Sequence, residues 1–254
     1  MGETIILKVL KRGYKGDNVK LWQEFLHIEP DGIFGRITEE NTKEFQTKNG
    51  LKADGIAGSK TIAKAVLLGF VIPEKKSIKI TEEQLKYIMK GCRQSSILKY
   101  LEPVNKAMNK YEIDTYLRIC HFLAQVGHES GSLRYSHELA SGRMYEGRKD
   151  LGNICPGDGM RFKGQGLIQI TGRLNITSFG KFIGIDFAKE NPARIGDEPE
   201  LSAEAAGWFW MTRKLNKWAD MDDIKGVSLR VNGGYNGLQE RILYLKRAKE
   251  SLKS

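Results

Sequence analysis

TYLRICHFLAQVGH, residues 115–128, is apolar on nearly every side, with Leu117, Cys120, Ala124 and His128 recurring at helical spacing. A helix without a polar face is one buried inside a large domain. Glu129-Ser130-Gly131 follows, and the glycine can end the helix. A carboxyl group is thereby placed at the end of a core helix, half out of water. Such a setting favours the protonated form and suits a general acid.

Nine residues on, Glu138 lies in RYSHELASGRMYEGRKDLGN, a polar, loop-like stretch where a carboxylate stays ionised. Two carboxyl groups in opposed surroundings are what glycoside hydrolysis requires. Glu146, in MYEGRKD, is the rival for the second role. FKGQGLIQITGRLN, residues 162–175, comes next. Gly164 and Gly166 allow a tight backbone beside a ligand. LIQIT reads as a short strand that turns Gln169 and Thr171 to a cleft and Ile168 and Ile170 to the core.

Upstream, DGIFGRIT at 31–38 returns as DGIAGSKT at 54–61, a repeat of 23 residues. Asp-Gly supplies a turn in each copy. Thr38, and Ser59 or Thr61, are candidate caps for the helices that follow. Asp17 is a candidate cap for a helix carrying Val19, Trp22 and Leu26 on one face. Residues 1–70 thus read as a compact unit of three short helices. FVIPEKKSIKI, residues 70–80, reads as a joint, since Pro73 stops the pattern. Thr81-Glu82-Glu83-Gln84 then has the signature of a capping box. The expected division is 1–72, a linker at 73–80, and 81–254.

The 254 residues are 40% hydrophobic and 28% charged, which places the chain among ordinary globular proteins. Lys and Arg number 41 against 31 Asp and Glu. The stretch to residue 72 has 11 basic and 9 acidic residues, so most of the net charge of +10 lies beyond it. A basic balance favours anionic partners such as nucleic acid, an anionic membrane surface or a bacterial wall. Neither an RNA-binding aromatic motif nor a zinc finger is present, which argues against nucleic acid. No apolar run approaches the roughly 18 residues of a membrane span, so no stable membrane insertion is expected. MGETIILKVLKRG lacks the features of a secretory signal. Synthesis in a cytoplasm is expected, with something else releasing the protein to a wall.

Cys92, Cys120 and Cys155 are scattered and odd in number, unlike a disulfide framework. His121, His128 and His137 do not make a metal site, because His128-Glu129 lacks a second histidine four residues on. Cys120 and His121 point about 100° apart on a helix and cannot act as nucleophile and base on each other. Trp208, Phe209 and Trp210 fit a core helix better than a sugar-stacking platform. The basic C-terminal stretch GLQERILYLKRAKESLKS fits a solvated helix face better than a membrane-disrupting one.

Two resemblances sharpen these readings. GYKGDNVKLWQEFL, DGIFGRIT and EFQTKNGLKADGIAGSKT together resemble the peptidoglycan-binding domain of the three-helix type, over about residues 8–68. FLAQVGHESGSLRYSHEL, YEGRKDLGN, RFKGQGLIQITGRLN, AAGWFWMTRKLN and LRVNGGYNGLQERILYLKRA resemble glycoside hydrolase family 19, in its phage-endolysin branch, over about residues 85–250. The resemblance implies a mainly α protein, with a three-helix wall-binding module and a lysozyme-like, mostly helical catalytic domain with a small β-hairpin region. It implies Glu129 as the acid of an H-E-[ST] motif and Glu138 as the base that activates water. Thr171 matches the hydroxyl that helps hold that water. Gln169 and Asn175 resemble sugar-contacting positions, and Asn232 and Arg241 cleft residues, Arg241 supporting the carboxylates. Asn236 stands where many plant members carry an acidic residue, which weakens the case for a chitinase.

The expected function is hydrolysis of the β-1,4 bond between N-acetylmuramic acid and N-acetylglucosamine in bacterial peptidoglycan. Inversion is expected, with the carboxyl groups roughly 6.5–9.5 Å apart. No cofactor and no metal are expected. The protein is expected to be a monomer, and the resemblance alone implies a holin partner. The alternatives are a chitinase, a non-catalytic wall-binding lysis protein and a lytic transglycosylase.

Overall fold

The computed structural model describes residues 9–72 and 79–253. The chain divides into two compact units, Met1–Lys76 and Ser77–Ser254. Of the expected linker, residues 73–78 lie outside the described residues.

The first unit contains α1 (Asp17–Phe25), α2 (Arg36–Lys48) and α3 (Ser59–Leu67). Val19 and Trp22 are buried as their spacing predicts, and Leu26 packs partly buried against the same core. Trp22 is fully enclosed, ringed by Phe25, Phe45 and Phe70 with centroids 5.4–5.7 Å away. Its indole N–H donates to Thr42 Oγ1 at 3.0 Å, so the ring is buried without an orphaned donor.

The expected caps are not the caps. Gly16, Gly35 and Gly58 hold the three N-cap positions, and none of these helices has a side-chain cap bond. Asp17 lies one position inside its helix, in the first turn. Ser59 likewise opens α3 from within. The threonines of the repeat turn inward instead. Gln23 Nε2 donates to Asp31 Oδ1 (2.7 Å), the Ile33 carbonyl (3.1 Å) and Thr38 Oγ1 (2.9 Å), while the Gly32 N–H donates to Gln23 Oε1 (2.8 Å). Gln46 repeats the pattern one period later with Asp54, Ile56, Thr61 and Gly55, at 2.9–3.0 Å. Each D-G-I-x-G-x-x-T loop is therefore clasped around a buried glutamine amide. Glycine at N-cap tolerates the missing side chain at little cost.

The second unit contains α4 (Glu82–Ile88), α5 (Gln94–Lys110), α6 (Tyr116–Glu129), α7 (Asp158–Arg161), α8 (Arg173–Ile183), α9 (Arg194–Asp197), α10 (Pro199–Thr212), α11 (Asn216–Asp220), α12 (Ile224–Asn232) and α13 (Leu238–Ser251). Thr81 closes the expected capping box with Gln84: the Gln84 N–H donates to Thr81 Oγ1 and the Thr81 N–H to Gln84 Oε1. The central helix is α6, buried continuously from Ile119 to Gly127. It lies against α13, α11 and α12, and α5 lies against α10. Gly127 allows α13 to approach α6 closely, since a Cβ there would sit 2.7 Å from the Tyr244 ring. Trp208, Phe209 and Trp210 are all buried, Trp210 edge-on to Phe122 at 5.4 Å. Cys120 is buried as well, and burial pushes its thiol up to about 12. The α13 face bearing Arg241, Tyr244, Leu245 and Ala248 is buried.

The expected hairpin region is reduced to isolated bridges, His137 with Gln165 and Gln165 with Ile170. LIQIT is not a strand. Gln165 and Ile170 exchange both backbone hydrogen bonds across a tight turn at 166–169. Gly166 (φ 78°) and Gln169 (φ 56°) are both left-handed in it. Turn geometry overrides the period-2 pattern here. Ile168 and Ile170 are nevertheless buried, as expected.

Candidate active site

The α6 helix begins at Thr115, whose hydroxyl accepts from the Arg118 N–H, and it ends on Glu129. Beyond it, Gly131, Ser132 and Leu133 are left-handed in succession, with φ of 55–62°. The Ser130 hydroxyl stabilises the reversal, donating to the Val126 carbonyl (2.6 Å) and accepting from the Leu133 N–H (2.8 Å). This turn leads the chain from Glu129 into the loop carrying Glu138.

Glu129 retains 17% side-chain exposure and meets Arg241, which is 1% exposed, at 2.5 Å. The helix end is thus not only apolar, as the sequence suggested. It holds a guanidinium supplied by α13. Arg241 also donates to Gln125 Oε1, one turn earlier on α6, and to the Asn236 carbonyl at 3.4 Å. Asn232 Nδ2 donates to that same carbonyl (3.0 Å), and Asn232 Oδ1 accepts from the Gly234 N–H. The 232–237 turn is therefore tied to Glu129 through Arg241. Gly237 lets it close, because a Cβ there would lie 2.0 Å from the His128 ring. His128 in turn pairs with Glu240 at 2.7 Å.

A second cluster forms around Glu138. It is bonded twice to Gly164: the Glu138 N–H donates to the Gly164 carbonyl (2.9 Å), and the Gly164 N–H donates to the side-chain Oε2 of Glu138 (2.8 Å). Glu138 Oε1 accepts from the Tyr145 hydroxyl at 2.9 Å. Lys163 Nζ reaches the Glu138 carbonyl at 2.9 Å. A Cβ on Gly164 would stand 2.8 Å from Gln169 Oε1 and 3.1 Å from Glu138 Oε2, so these two side chains converge over the bare glycine. Gln169 Nε2 donates to the Gly166 carbonyl. The Thr171 hydroxyl donates to the Gln169 carbonyl (2.9 Å), and Asn175 Nδ2 to the Thr171 carbonyl (2.8 Å).

The rival carboxylate, Glu146, is occupied otherwise. Its two oxygens accept from the Gly157 and Gly159 N–H groups at 2.7 and 2.8 Å, closing the turn into α7. Asp158, 2% exposed, accepts from the Ile154 and Cys155 N–H groups and from Arg173. The Arg173 bond, foremost, holds the Asp158 carboxyl below its ordinary range.

All seven residues singled out in the sequence therefore fall into two clusters: Glu129, Arg241 and Asn232 in one, Glu138, Gln169, Thr171 and Asn175 in the other. Tyr145 and Gln125 were not singled out. Tyr145 sits in the quoted YEGRKD segment, but no spacing marks it. Gln125 lies one helical turn before Glu129, which is a signal that could have been used.

Residues 15–64 match a family model described as a putative peptidoglycan binding domain. Residues 111–229 match one described as chitinase class I. A glycosyl hydrolase family 19 domain-containing protein of Haemophilus influenzae is 34% identical over 151 residues, which cover 47% of this chain and 72% of that protein. An endochitinase of Arabidopsis thaliana is 35% identical over 117 residues, 46% of this chain and 39% of that protein. The crystal structure of chitinase C from Streptomyces griseus superposes with a TM-score of 0.59 at 19% identity, covering 72% of this chain and 96% of that one. At that identity the last likeness is one of fold.

Proposed function

The chain belongs to glycoside hydrolase family 19, and from that membership we propose that it is an endolysin that cleaves peptidoglycan glycan strands at the β-1,4 bond between N-acetylmuramic acid and N-acetylglucosamine. The observation that carries the substrate is the union in one chain of a family 19 unit with a region matching a peptidoglycan-binding domain. The binding unit raises the local concentration of the enzyme at the polymer without entering the chemistry. A net charge of +10 adds attraction to an anionic wall.

In this reading Glu129 protonates the leaving oxygen. Arg241 fixes the orientation of its carboxyl group. Glu138 takes a proton from water, which attacks the opposite face of the sugar and inverts the anomeric centre. Room for that water requires carboxyl groups roughly 6.5–9.5 Å apart. Thr171 has its hydroxyl proton committed to the Gln169 carbonyl, so its oxygen is free to accept from the water. Gln169 and Asn175 line the base side, and Asn232 the acid side, of the bound strand. Glu146 instead closes the turn into α7, whereas Glu138 converges with Gln169 over the bare Gly164, and this is the ground for choosing Glu138. The protein acts as a monomer on the wall after release from the cytoplasm by a membrane-permeabilising partner. Among the described residues no helix is long and apolar enough to cross a membrane.

The test is digestion of purified peptidoglycan by the wild type and by Glu129→Gln, followed by mass spectrometry of the fragments. Reducing muramic-acid ends from the wild type alone are expected. Equal release by both would remove Glu129 from the mechanism, and anhydro-muramyl ends would make the protein a lytic transglycosylase. The Arabidopsis relative favours a second reading, an endochitinase. Faster cleavage of N-acetylglucosamine oligomers than of peptidoglycan would establish it.

A further inference from the structure

The Glu138 carboxylate has its surroundings built for it on both oxygens. Oε2 takes the Gly164 N–H, whose position is locked by the reciprocal bond from the Glu138 N–H. Oε1 takes the Tyr145 hydroxyl. Tyr145 is itself firmly placed. It ends a short 3-10 turn, Arg143–Tyr145. Its carbonyl accepts from Asn153 Nδ2 at 2.8 Å, and Asn153 is fully buried. Asn153 Oδ1 also receives the Arg173 N–H, at the start of α8. On the other side, Glu146 pins the same turn to Gly157 and Gly159. Gly142 lets the segments close up, since a Cβ there would meet the Gly159 carbonyl at 2.4 Å. Two independent braces thus hold the phenol against a carboxylate that lies seven residues earlier in the sequence.

We propose that Tyr145 is a positioning residue for Glu138: its O–H and the Gly164 N–H form a two-donor cradle that holds the carboxylate in one orientation, aimed for proton abstraction. The proposal rests on the reading of Glu138 as the base. A carboxylate with two fixed donors cannot rotate without breaking one of them. The phenol remains a donor throughout any working range. Burial, and then its bond to Glu138, push it up to about 12. The other charged groups around the pair are Lys163, bonded to the Glu138 carbonyl, Arg148, which acts on Tyr145, and His137, whose ring is engaged by Gln165 and Asp197. None of these replaces the bond at Oε1.

The experiment compares the full chain with Tyr145→Phe and Glu138→Gln on solubilised peptidoglycan strands, with kcat and KM measured separately. Tyr145→Phe removes one oxygen and keeps the ring, so its thermal midpoint serves as the control for folding. The expected result is a fall in kcat of about ten-fold with KM held within about two-fold. A defect confined to kcat separates lost aim of the carboxylate from lost binding of the strand. Glu138→Gln should be inactive. A Tyr145→Phe enzyme with wild-type kcat, beside an inactive Glu138→Gln, would overturn the role of Tyr145 alone. An active Glu138→Gln would overturn the assignment of the base and, with it, the purpose of the cradle.

Discussion

Buried amides are used differently in the two units of this chain. In the first, Gln23 and Gln46 are 2% and 1% exposed, and each spends both its oxygen and its nitrogen on the loop that it clasps. In the second, Gln125 is fully buried one turn before Glu129. Its oxygen receives Arg241, while its nitrogen has no partner among the described residues. His121, also on α6, engages Asp222 through Nε2 and leaves Nδ1 without a partner. A completed polar network serves folding. A network left short of a partner costs stability, and such shortfalls in native proteins call for a reason. Gln125 and His121 both lie along the helix that delivers the proposed acid, and Ser202 Oγ on α10 is short of a partner as well.

If that contrast is one of purpose, damage to the two networks should separate chemistry from stability. Glu129→Gln keeps the shape of the side chain and removes its proton. Activity on peptidoglycan should fall about 10²–10⁴-fold, the usual worth of a general acid, while the amide oxygen can still accept from Arg241, so the thermal midpoint should fall less than in Arg241→Met. A large loss of stability in that variant would make Glu129 a structural residue like Gln23. Arg241→Met removes the cation and leaves the Glu129 carboxylate short of its partner. A combined loss is expected, with activity falling and the second unit destabilised by about 3–5 kcal/mol in urea. Gln23→Leu should act on the first unit only. The Gly32 N–H, Asp31 and Thr38 would lose their shared partner, at a cost of about 3 kcal/mol. Binding to sacculi should weaken while cleavage of a short soluble glycan stays at the wild-type rate. A drop in that rate would show that the two networks are coupled.

The smallest effect is one of pH. Burial holds His121 below the ordinary histidine value of 6.5. The unfolded chain therefore takes up this proton first as pH falls through 6.5, and the second unit should lose stability from there downward. Burial pushes the Asp222 carboxyl up, but bonds from Lys249 and His121 outweigh it and keep it below 3.8. Its contribution survives to more acid conditions. Urea midpoints between pH 7 and 5 should decline in the wild type and decline less in His121→Gln. Identical slopes would remove His121 from the account.

Much of this was legible in the sequence because it was local. The all-round apolar pattern of 115–128 gave a buried helix, and Thr81 to Gln84 gave a capping box. The D-G-I-x-G-x-x-T repeat marked two equivalent loops. What the repeat did not reveal is where its threonines point. Thr38 and Thr61 satisfy glutamines fifteen residues upstream instead of capping their own helices. Gln23 and Gln46 do recur at the period of 23, so the signal was present outside the motif as quoted. LIQIT misled because alternation of apolar and polar residues occurs in a tight turn as readily as in a strand, and left-handed Gln169 decided between them. Arg241 meets Glu129 from 112 residues away through packing of α13 on α6, a meeting that the family resemblance implied and no local pattern encodes; Tyr145, seven residues from Glu138, was marked by neither.

Gln169 carries one more consequence. A left-handed backbone is the natural place for glycine, and a side chain there costs on the order of 1 kcal/mol or more. Selection for heat tolerance alone would drift towards glycine at 169, which relaxes the turn and discards the amide that meets Glu138 over Gly164. Engineers who harden this enzyme by consensus or by screening residual fold after heating would therefore gain robustness at this position at the expense of the proposed sugar-contacting amide. Residue 169 is one to freeze before any such campaign begins.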